Sequence, residues 1–261
     1  MSKQENHFLS LIIPAYKQEK TILENLKRIK SALDNIRYDH EIIVVVDGFV
    51  DKTFEILKKN RIPNVRVIGY EKNHGKSYAI RIGMHEAKGD YVMFIDSGME
   101  IDPNGISMLL EHMEWYKADI IVGSKRHQAS QVKYSLQRKI LSLGYYYFVK
   151  FLFGVNVKDT QAGIKIFRKN VIEKVLPLLV EKKFAGDLEM LVVANLLGFD
   201  RIYEAPIKLD YELSDITSAA TYQSIRGILI DTLAIFYRSS ILHYYKSPHN
   251  KFVPPNNIIR I

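Results

Sequence analysis

The sequence predicts an α/β fold in which helices cover both faces of a mostly parallel sheet. Five short apolar runs rich in β-branched residues alternate with segments of helical periodicity. The runs lie at residues 9–13, 41–46, 65–70, 91–95 and 120–122. Such alternation is typical of parallel strands joined by right-handed helical crossovers, and it predicts a doubly wound sheet.

Two of the helices carry sequence signals for their first turn. Thr21 and Glu24 have the spacing of a capping box, in which each side chain bonds the backbone amide of the other residue. Asp102 directly before Pro103 predicts an N-cap followed by a proline in the first turn, where the missing N–H is not needed. The helices are therefore predicted from their boundaries as well as from periodicity.

One main domain is predicted over residues 1–215, because no internal repeat, low-complexity tract or Gly/Ser linker divides the chain of 261 residues. A C-terminal amphipathic helix and tail are predicted over residues 216–261. Two interpretations of the helix stay open: it packs on the core, or it lies on a lipid surface. The end of the chain, with Pro248, Pro254 and Pro255, predicts an irregular tail.

Composition restricts the class of partner and the compartment. The 37 Lys and Arg residues against 29 Asp and Glu give a formal charge of +8, which favours nucleic acid, a phosphorylated substrate or an acidic lipid surface. The absence of cysteine excludes disulfides and thiolate metal sites and fits a reducing compartment. The N-terminus lacks the apolar region of a signal peptide. The apolar run at 228–237 is shorter than the roughly 20 residues of a spanning helix, so we expect a peripheral protein.

Two aspartates stand at the ends of predicted strands. Asp47 closes the run EIIVVVD, and Asp96 closes YVMFID. In an open parallel sheet, ligands bind outside the carboxyl ends of the strands, so these carboxylates can hold a nucleoside or a divalent cation. The alternative, in which each aspartate only caps the following helix, is less expected for two acids at the same edge.

Several other functions have no support in the sequence. The histidines show no paired spacing for zinc, and neither a Gly-x-Ser-x-Gly elbow nor a dinucleotide glycine pattern is present. The stretch at 73–77 ends like a phosphate-binding loop, but a Walker motif would require glycine at Tyr70. The basic residues form no single stripe, so we expect no nucleic-acid partner.

Five segments carry the motifs that say most about function. They are LIIPAYKQE (11–19), EIIVVVDGFVDKT (41–53), NHGKSYAIRIGMHEAKGDYVMFID (73–96), IVGSK (121–125) and KDTQAGIKIFRK (158–169). In this order and spacing, the chain resembles the inverting glycosyltransferases of family 2 with the GT-A fold. More narrowly, it resembles the synthases of dolichol- and polyprenyl-phosphate mannose or glucose. The resemblance covers residues 9–212.

This resemblance implies the substrates and the residues that bind the donor. The donor would be a nucleotide-diphosphate sugar, GDP-mannose or UDP-glucose, and the acceptor a polyprenyl phosphate. Magnesium or manganese would be held by Asp96 and Glu100. The implied donor-binding residues are Pro14, Ala15, Tyr16, Glu19, Asp47, Gly75, Lys76, Asp96 and Ser97.

Two positions depart from the family pattern. The pair of aspartates after the second strand keeps one acid, Asp47. The metal motif Asp-x-Asp has Gly98 in place of its second acid, and Glu100 stands where the pattern has Gln. Either Glu100 compensates for the lost acid, or the chain is a degenerate relative that binds a nucleotide sugar without turnover.

For a phosphate acceptor, the resemblance implies Arg126 and Arg138 as the binding cations, with Ser142 one helical turn after Arg138. A phosphate monoester is already an oxyanion at neutral pH, so it needs positioning more than a general base. The alternative acceptor is a glycan hydroxyl, for which Asp187 would have to act as base. The implied catalytic residues are thus Asp96, Arg126, Arg138 and Asp187.

The tract at residues 144–153 bears on location. It is aromatic on every face and bordered by lysine, a composition found at membrane interfaces. As a plain core helix it would have to satisfy three tyrosine hydroxyls. Together with a lipid-phosphate acceptor, the tract predicts a peripheral protein at the cytoplasmic face of a membrane.

Overall fold

One mixed sheet of eight strands forms the centre of the molecule. A computed structural model of the chain describes residues 7–130, 136–183, 185–209, 222–246, 252–255 and 257–261. The side chains at 136–139 and 222–225 lie outside that description. The strands are β1 (Leu9–Ala15), β2 (His40–Asp47), β3 (Val65–Tyr70), β4 (Tyr91–Ile95), β5 (Ile120–Ser124), β6 (Ile164–Arg168), β7 (Ile202–Pro206) and β8 (Ile259–Arg260).

The strands follow the order β7-β5-β6-β4-β1-β2-β3-β8 across the sheet. β6 runs antiparallel to β4 and β5, and β8 runs antiparallel to β3, whereas every other neighbouring pair is parallel. All five predicted strands are present and point the same way. The prediction of a mostly parallel α/β sheet is confirmed.

Helices cover both faces of this sheet. The α-helices of the described ranges are α1 (Ile22–Leu33), α2 (Thr53–Lys59), α3 (Lys76–Glu86), α4 (Ile106–Trp115), α5 (Leu136–Phe153), α6 (Lys169–Val175), α7 (Gly186–Leu196) and α8 (Tyr222–Phe236). α1, α2 and α4 bury apolar side chains in one core cluster, and α3, α5, α6, α7 and α8 do so in the other. With both faces covered, β1 is buried along its whole length, which explains its unbroken apolar sequence.

The sequence prediction misses three strands. β6 reads IKIFR, and its two cations conceal a strand whose Lys165 is fully buried. β7 is a short edge strand in which exposed Tyr203 interrupts the apolar pattern. The prediction of an irregular tail is wrong for β8, because Ile261 and Val67 exchange backbone hydrogen bonds of 2.9 and 3.0 Å beside it. A strand of two residues is too short to show a periodic pattern, so only its pairing with β3 defines β8.

The two helix-start signals have opposite outcomes. Asp102 accepts a hydrogen bond from the Asn104 backbone amide at 3.0 Å, as predicted, and caps a 3-10 turn (Pro103–Gly105) that leads into α4. The capping box is wrong, because Thr21 makes no side-chain bond to the first turn of α1. Its hydroxyl donates instead to the Gln18 amide oxygen at 2.7 Å.

The C-terminal helix packs on the core, which is one of the two interpretations that the sequence left open. In α8, the Thr232 hydroxyl lies 3.0 Å from the Tyr145 hydroxyl of α5, and Ile235 is fully buried. The segment after α8 continues the contact: Arg238 pairs with Glu181. The predicted domain boundary at residue 215 lies outside the described residues, so the division stays a prediction. No helix in the described part of the chain is both long and apolar enough to cross a bilayer.

Candidate active site

A cavity of about 710 Å³ opens at the carboxyl ends of β1, β2 and β4. Ligands bind at this edge in open α/β sheets. A second cavity, of about 720 Å³, lies at the opposite ends of β1, β2 and β3 and holds none of the predicted residues. The first cavity is lined by Pro14, Ala15, Tyr16, Gln18, Asp47, Asn73, His74, Gly75, Lys76, Asp96, Ser97, Gly98, Glu100 and Lys183.

The cavity brings together all the predicted donor-binding residues except Glu19. The Glu19 carboxylate accepts a hydrogen bond from the Lys52 backbone amide at 3.0 Å, which ties the loop after β1 to the start of α2. Five lining residues were not predicted as ligands, namely Gln18, Asn73, His74, Gly98 and Lys183. Asn73 and His74 lie in the motif that contains Gly75, but no sequence pattern pointed to Lys183.

Asp47 organises the turn that precedes α3. Its carboxylate is buried and accepts hydrogen bonds from the backbone amides of His74 and Gly75 at 2.8 and 2.9 Å. It also accepts one from the Tyr70 hydroxyl and one from the Asn73 side-chain amide, each at 2.9 Å. Because this carboxylate already has four protein donors, a bound nucleoside would have to share it.

The turn can form only with glycine at residue 75. Gly75 has a φ of +104°, which side chains rarely allow, and a Cβ atom there would lie 2.4 Å from the Lys182 carbonyl oxygen. That carbonyl accepts from the Tyr78 amide at 3.2 Å, and the Lys183 carbonyl accepts from the Ser77 hydroxyl. The segment 182–183 therefore braces the start of α3 and brings Lys183 to the cavity.

Asp96 is placed by β6 and α1. Its backbone amide donates to the Gly163 carbonyl at 2.9 Å, and a Cβ at Gly163 would lie only 2.2 Å from Asp96 Oδ2. Asn25 of α1 donates to the Ser97 carbonyl at 2.8 Å and fixes the loop that follows. Gly163 thus leaves room for the carboxylate that the metal motif begins with.

Four charged side chains of alternating sign run from the cavity into the core. Lys76 Nζ lies 2.8 Å from Asp96 Oδ1 and 3.2 Å from Asp187 Oδ2. Lys165 Nζ lies 3.0 Å from Asp187 Oδ1 and donates to the Ala162 carbonyl at 2.8 Å. Asp96 is the most exposed of the four, and Lys165 is fully buried.

Burial and the alternating charges together determine the pKa values of Asp187, Lys76 and Lys165. Burial alone would raise the pKa of Asp187, but Lys165 and Lys76 outweigh it and hold this pKa below its usual range. Burial also opposes the charge on Lys76, but Asp187 and Asp96 raise its pKa above the ordinary lysine value. Burial lowers the pKa of Lys165, and Asp187 only partly offsets the effect. A carboxylate held in this way is a weak general base.

Two carboxylates of the cavity, those of Asp96 and Glu100, are candidates to hold a divalent cation. No group of three or more His, Cys, Asp or Glu side chains within the described ranges could form a metal site. Magnesium is usually held by one or two carboxylates together with water and substrate phosphates. At Gly98 no atom of the described residues lies within 4 Å of an added Cβ, so they leave the position of the missing acid open. The residues therefore fit a cation that takes its other ligands from a diphosphate.

Arg126, one of the two predicted acceptor cations, follows the end of β5. Arg126 Nη1 donates to the Ser142 carbonyl at 2.7 Å and lies 3.3 Å from the Ser142 hydroxyl. The Arg138 side chain lies outside the described residues. Asp159 accepts from the Lys125 backbone amide at 2.9 Å. Since Gly163 contacts Asp96, the segment 159–163 joins the loop that carries Arg126 to the cavity around Asp96.

This fold and this cavity place the chain in a known class. It matches the model of glycosyl transferase family 2 over residues 10–176, more than half of its length, and therefore belongs to that family. Its resemblance to the GT-A fold is confirmed by a solved structure, glucosyl-3-phosphoglycerate synthase from Mycobacterium tuberculosis in complex with Mn2+, UDP-glucose and phosphoglyceric acid. That likeness has a TM-score of 0.63 and 17% identity, and covers 88% of this chain and 80% of that one.

Curated relatives are dolichyl-phosphate beta-glucosyltransferases. The protein from Dictyostelium discoideum is 27% identical over 74% of this chain and 64% of its own length. The one from Drosophila melanogaster is 31% identical over 72% of this chain and 62% of its own length. The chain thus spans less than two thirds of the length of these two relatives.

The pKa of Asp187 predicts a pH-dependent stability difference between the protein and its Asp187→Asn variant. Because the folded-state pKa lies below the ordinary value of about 3.9, the contribution of the carboxylate is complete above that value and is lost as the pH falls below it. At pH 7 we expect the variant to be less stable by about 3 kcal/mol, since it leaves buried ammonium charge uncompensated.

Urea unfolding across the pH range from 7 to 3 measures this difference. The difference in the free energy of unfolding between the wild type and the variant should stay constant down to about pH 4 and narrow below it. Asp34→Asn is the control, because Asp34 is half exposed at the end of α1 and pairs with Lys30, one helical turn earlier. A gap that closes between pH 7 and pH 5 would show that the pKa of Asp187 is raised instead.

Proposed function

We propose that this chain transfers a hexose from a nucleotide-diphosphate sugar to a polyprenyl phosphate, with inversion at the anomeric carbon. The observation that carries the proposal is the segment 159–163, which joins the cavity around Asp96 to the loop of Arg126. A donor and an anionic acceptor would then meet at one edge of the sheet. The names of the curated relatives support dolichyl phosphate as the kind of acceptor.

UDP-glucose is the donor that we favour over GDP-mannose. The two curated relatives named above are glucosyltransferases, and the M. tuberculosis structure contains UDP-glucose. The nucleoside would lie against Pro14, Ala15 and Tyr16 beside Asp47. The diphosphate would lie near Lys76 and Lys183, whose ammonium groups offset its charge. These roles rest on the lining of the cavity.

Asp96 and Glu100 would hold magnesium or manganese on the donor diphosphate. When bound, the cation supplies charge neutralisation of the leaving group. The solved M. tuberculosis structure with Mn2+ supports a divalent cation. The ammonium of Lys76 lies 2.8 Å from Asp96, and it would have to share its hydrogen bonds between Asp96 and the diphosphate when the donor binds.

The acceptor phosphate would be held by Arg126, Arg138 and Ser142. One of its oxygens forms the new bond to the anomeric carbon as the bond from that carbon to the diphosphate oxygen breaks. The electron pair leaves with the nucleoside diphosphate, and no proton is transferred. A general base is therefore not required, which agrees with an Asp187 that is paired to two ammonium groups.

The paired Asp187 also weighs against the glycan hydroxyl as acceptor. A hydroxyl needs a base within hydrogen-bond reach, and both oxygens of this buried carboxylate already accept from lysines. The third interpretation, a nucleotide-sugar-binding protein without turnover, rests on Gly98. It is an outcome of the first test below.

Sugar transfer is measured with labelled UDP-glucose and GDP-mannose, polyprenyl phosphate vesicles, and magnesium, manganese or a chelator. We expect label from UDP-glucose in the organic phase, and a loss of at least about tenfold in rate with the chelator. Arg126→Ala should lower the rate by about tenfold or more, because it removes a cation from the acceptor loop. Donor binding without transfer to any lipid or glycan acceptor would support the protein without turnover.

Gly163→Ala should impair sugar transfer from the donor without destabilising the fold. The added Cβ would displace the Asp96 carboxylate, and a misplacement of about 1 Å can lower a rate by about 100-fold. We expect kcat/KM for UDP-glucose to fall at least about tenfold while the melting temperature changes little. Gly105→Ala is the control, since an added Cβ there has no atom of the described ranges within 4 Å. Equal activity in the two variants would contradict the placement of Asp96 in the donor site.

A lipid surface is the partner that we propose for the exposed faces of α5 and α8. These helices also carry the exposed cations Lys150 and Arg226, which suits anionic headgroups. The absence of cysteine is consistent with the cytoplasmic face. The exposed large apolar side chains of α5, of α8 and of the segment that directly follows α8 are Ile140, Leu141, Leu143, Tyr147, Phe151, Leu229, Ile230, Leu233, Tyr237, Ile241 and Leu242.

Flotation with vesicles of phosphatidylcholine and phosphatidylglycerol tests this surface. The double variant Phe151→Ser and Ile241→Ser should bind the vesicles at least about tenfold more weakly, because it loses apolar surface that would be buried in the lipid. Trp115→Ser is the matched control, because Trp115 is 84% exposed on α4, which packs on the other face of the sheet. Equal losses in both variants would contradict a specific membrane face.

A further inference from the structure

Lys165 is a fully buried lysine for which the proposed reaction has no use. Its side chain extends from the face of β6 that also carries Phe167, and its ammonium lies 5.2 Å from the ring centre of Phe94. Its hydrogen bonds go to the Ala162 carbonyl and to Asp187 Oδ1. A buried ammonium is costly unless it is paired, so the fold retains Lys165 at a cost in desolvation.

The partner of Lys165 is also a partner of Lys76. Asp187 Oδ2 lies 3.2 Å from Lys76 Nζ, and the same ammonium lies 2.8 Å from Asp96 Oδ1. The side chains become more exposed toward the cavity: 0% for Lys165, 2% for Asp187, 20% for Lys76 and 41% for Asp96. Of the two lysines in this row of four charges, Lys76 is the one that lines the cavity, and its ammonium also pairs with the buried Asp187.

Counting charges shows what Lys165 does for Lys76. With Lys165 present, the four groups sum to zero, and Asp187 is balanced by the lysine behind it. Without Lys165, the single ammonium of Lys76 would be shared between two carboxylates. It would be drawn toward the buried Asp187, because opposite charges attract most strongly where water is excluded.

We propose that Lys165 is a positioning residue that keeps the ammonium of Lys76 available to the diphosphate of the donor. The proposal rests on the proposed function only in taking a nucleoside diphosphate as the ligand of the cavity. The segment 162–165 would then support both ends of the row of four charges. Gly163 leaves room for Asp96 at one end, and Lys165 balances Asp187 at the other.

Calorimetric binding of UDP tests the proposal without any requirement for sugar transfer. Titrations are run with a chelator and with manganese, on folded protein verified by circular dichroism. Lys165→Met removes the charge at similar length, and we expect UDP to bind about tenfold more weakly. Asp187→Asn removes the buried carboxylate that competes with the diphosphate for the ammonium of Lys76. This variant should bind UDP at least as tightly as the wild type. The double variant should return to within about threefold of the wild type, since its two changes cancel in charge.

A purely structural ion pair would give a different order of affinities. It would weaken UDP binding in both single variants and would not let the double variant recover, and that result would overturn the proposal. Should Lys165→Met fail to fold, the Asp187→Asn and double variants decide by the same criteria. Arg168→Met on the same strand is the control, because Arg168 bonds the Ala118 carbonyl away from the cavity and should leave UDP affinity unchanged.

In the transfer assay, Lys165→Met should raise KM for UDP-glucose more than it lowers kcat. UDP binding with the expected order but no transfer would leave the role of Lys165 intact and reject the proposed function. Wild-type protein that binds no UDP under either condition would overturn the inference itself.

Discussion

The pairing of β4 with the antiparallel strand β6 is the constraint on which the site depends. The register sets Ile95 opposite Ile164, so the residue before the strand, Gly163, meets Asp96. Successive residues of a strand face opposite sides of the sheet, so Lys165 points to the α7 side and reaches Asp187. A slip of one residue would turn Lys165 to the other face and put a different residue beside the Asp96 carboxylate.

The side of the cavity that carries Gly75 and Lys76 is also supported by the segment around residue 182. Glu189 of α7 is buried, and its carboxylate accepts from the backbone amides of Val180 and Glu181 at 3.0 and 2.9 Å. Its other oxygen accepts from the Tyr245 hydroxyl at 2.6 Å. Burial raises the pKa of Glu189 in spite of these bonds. The segment after α8 is therefore connected through Glu189 to the residues that brace Gly75.

Much of the fold could be predicted because its central strands are buried on both faces. Such strands have continuous apolar sequences, so β1 to β5 were visible in the pattern alone. The strands that were missed depend on partners distant in sequence, as β8 depends on β3. The capping box at Thr21 matched in spacing, but a match does not specify the backbone geometry that directs the hydroxyl to the helix.

The site was predictable where a motif fixes a backbone turn or a strand end, as for Asp47 and Asp96. Lys165 and Lys183 were not, because their roles arise from contacts between β6, α7 and α3 that no local spacing encodes. Nor could the sequence show that Asp187 is paired on both oxygens, which bears on the choice between the acceptors.

Gly98 gives the site room to change. Because no atom in the described part of the chain lies within 4 Å of a Cβ built there, a side chain can be added without repacking those residues. One codon therefore separates this loop from a motif with two aspartates, and the supporting strands need no adjustment. A second carboxylate can therefore be introduced two residues after Asp96 without a change in the packing of the core, which makes this loop a suitable place to engineer a site for a divalent cation.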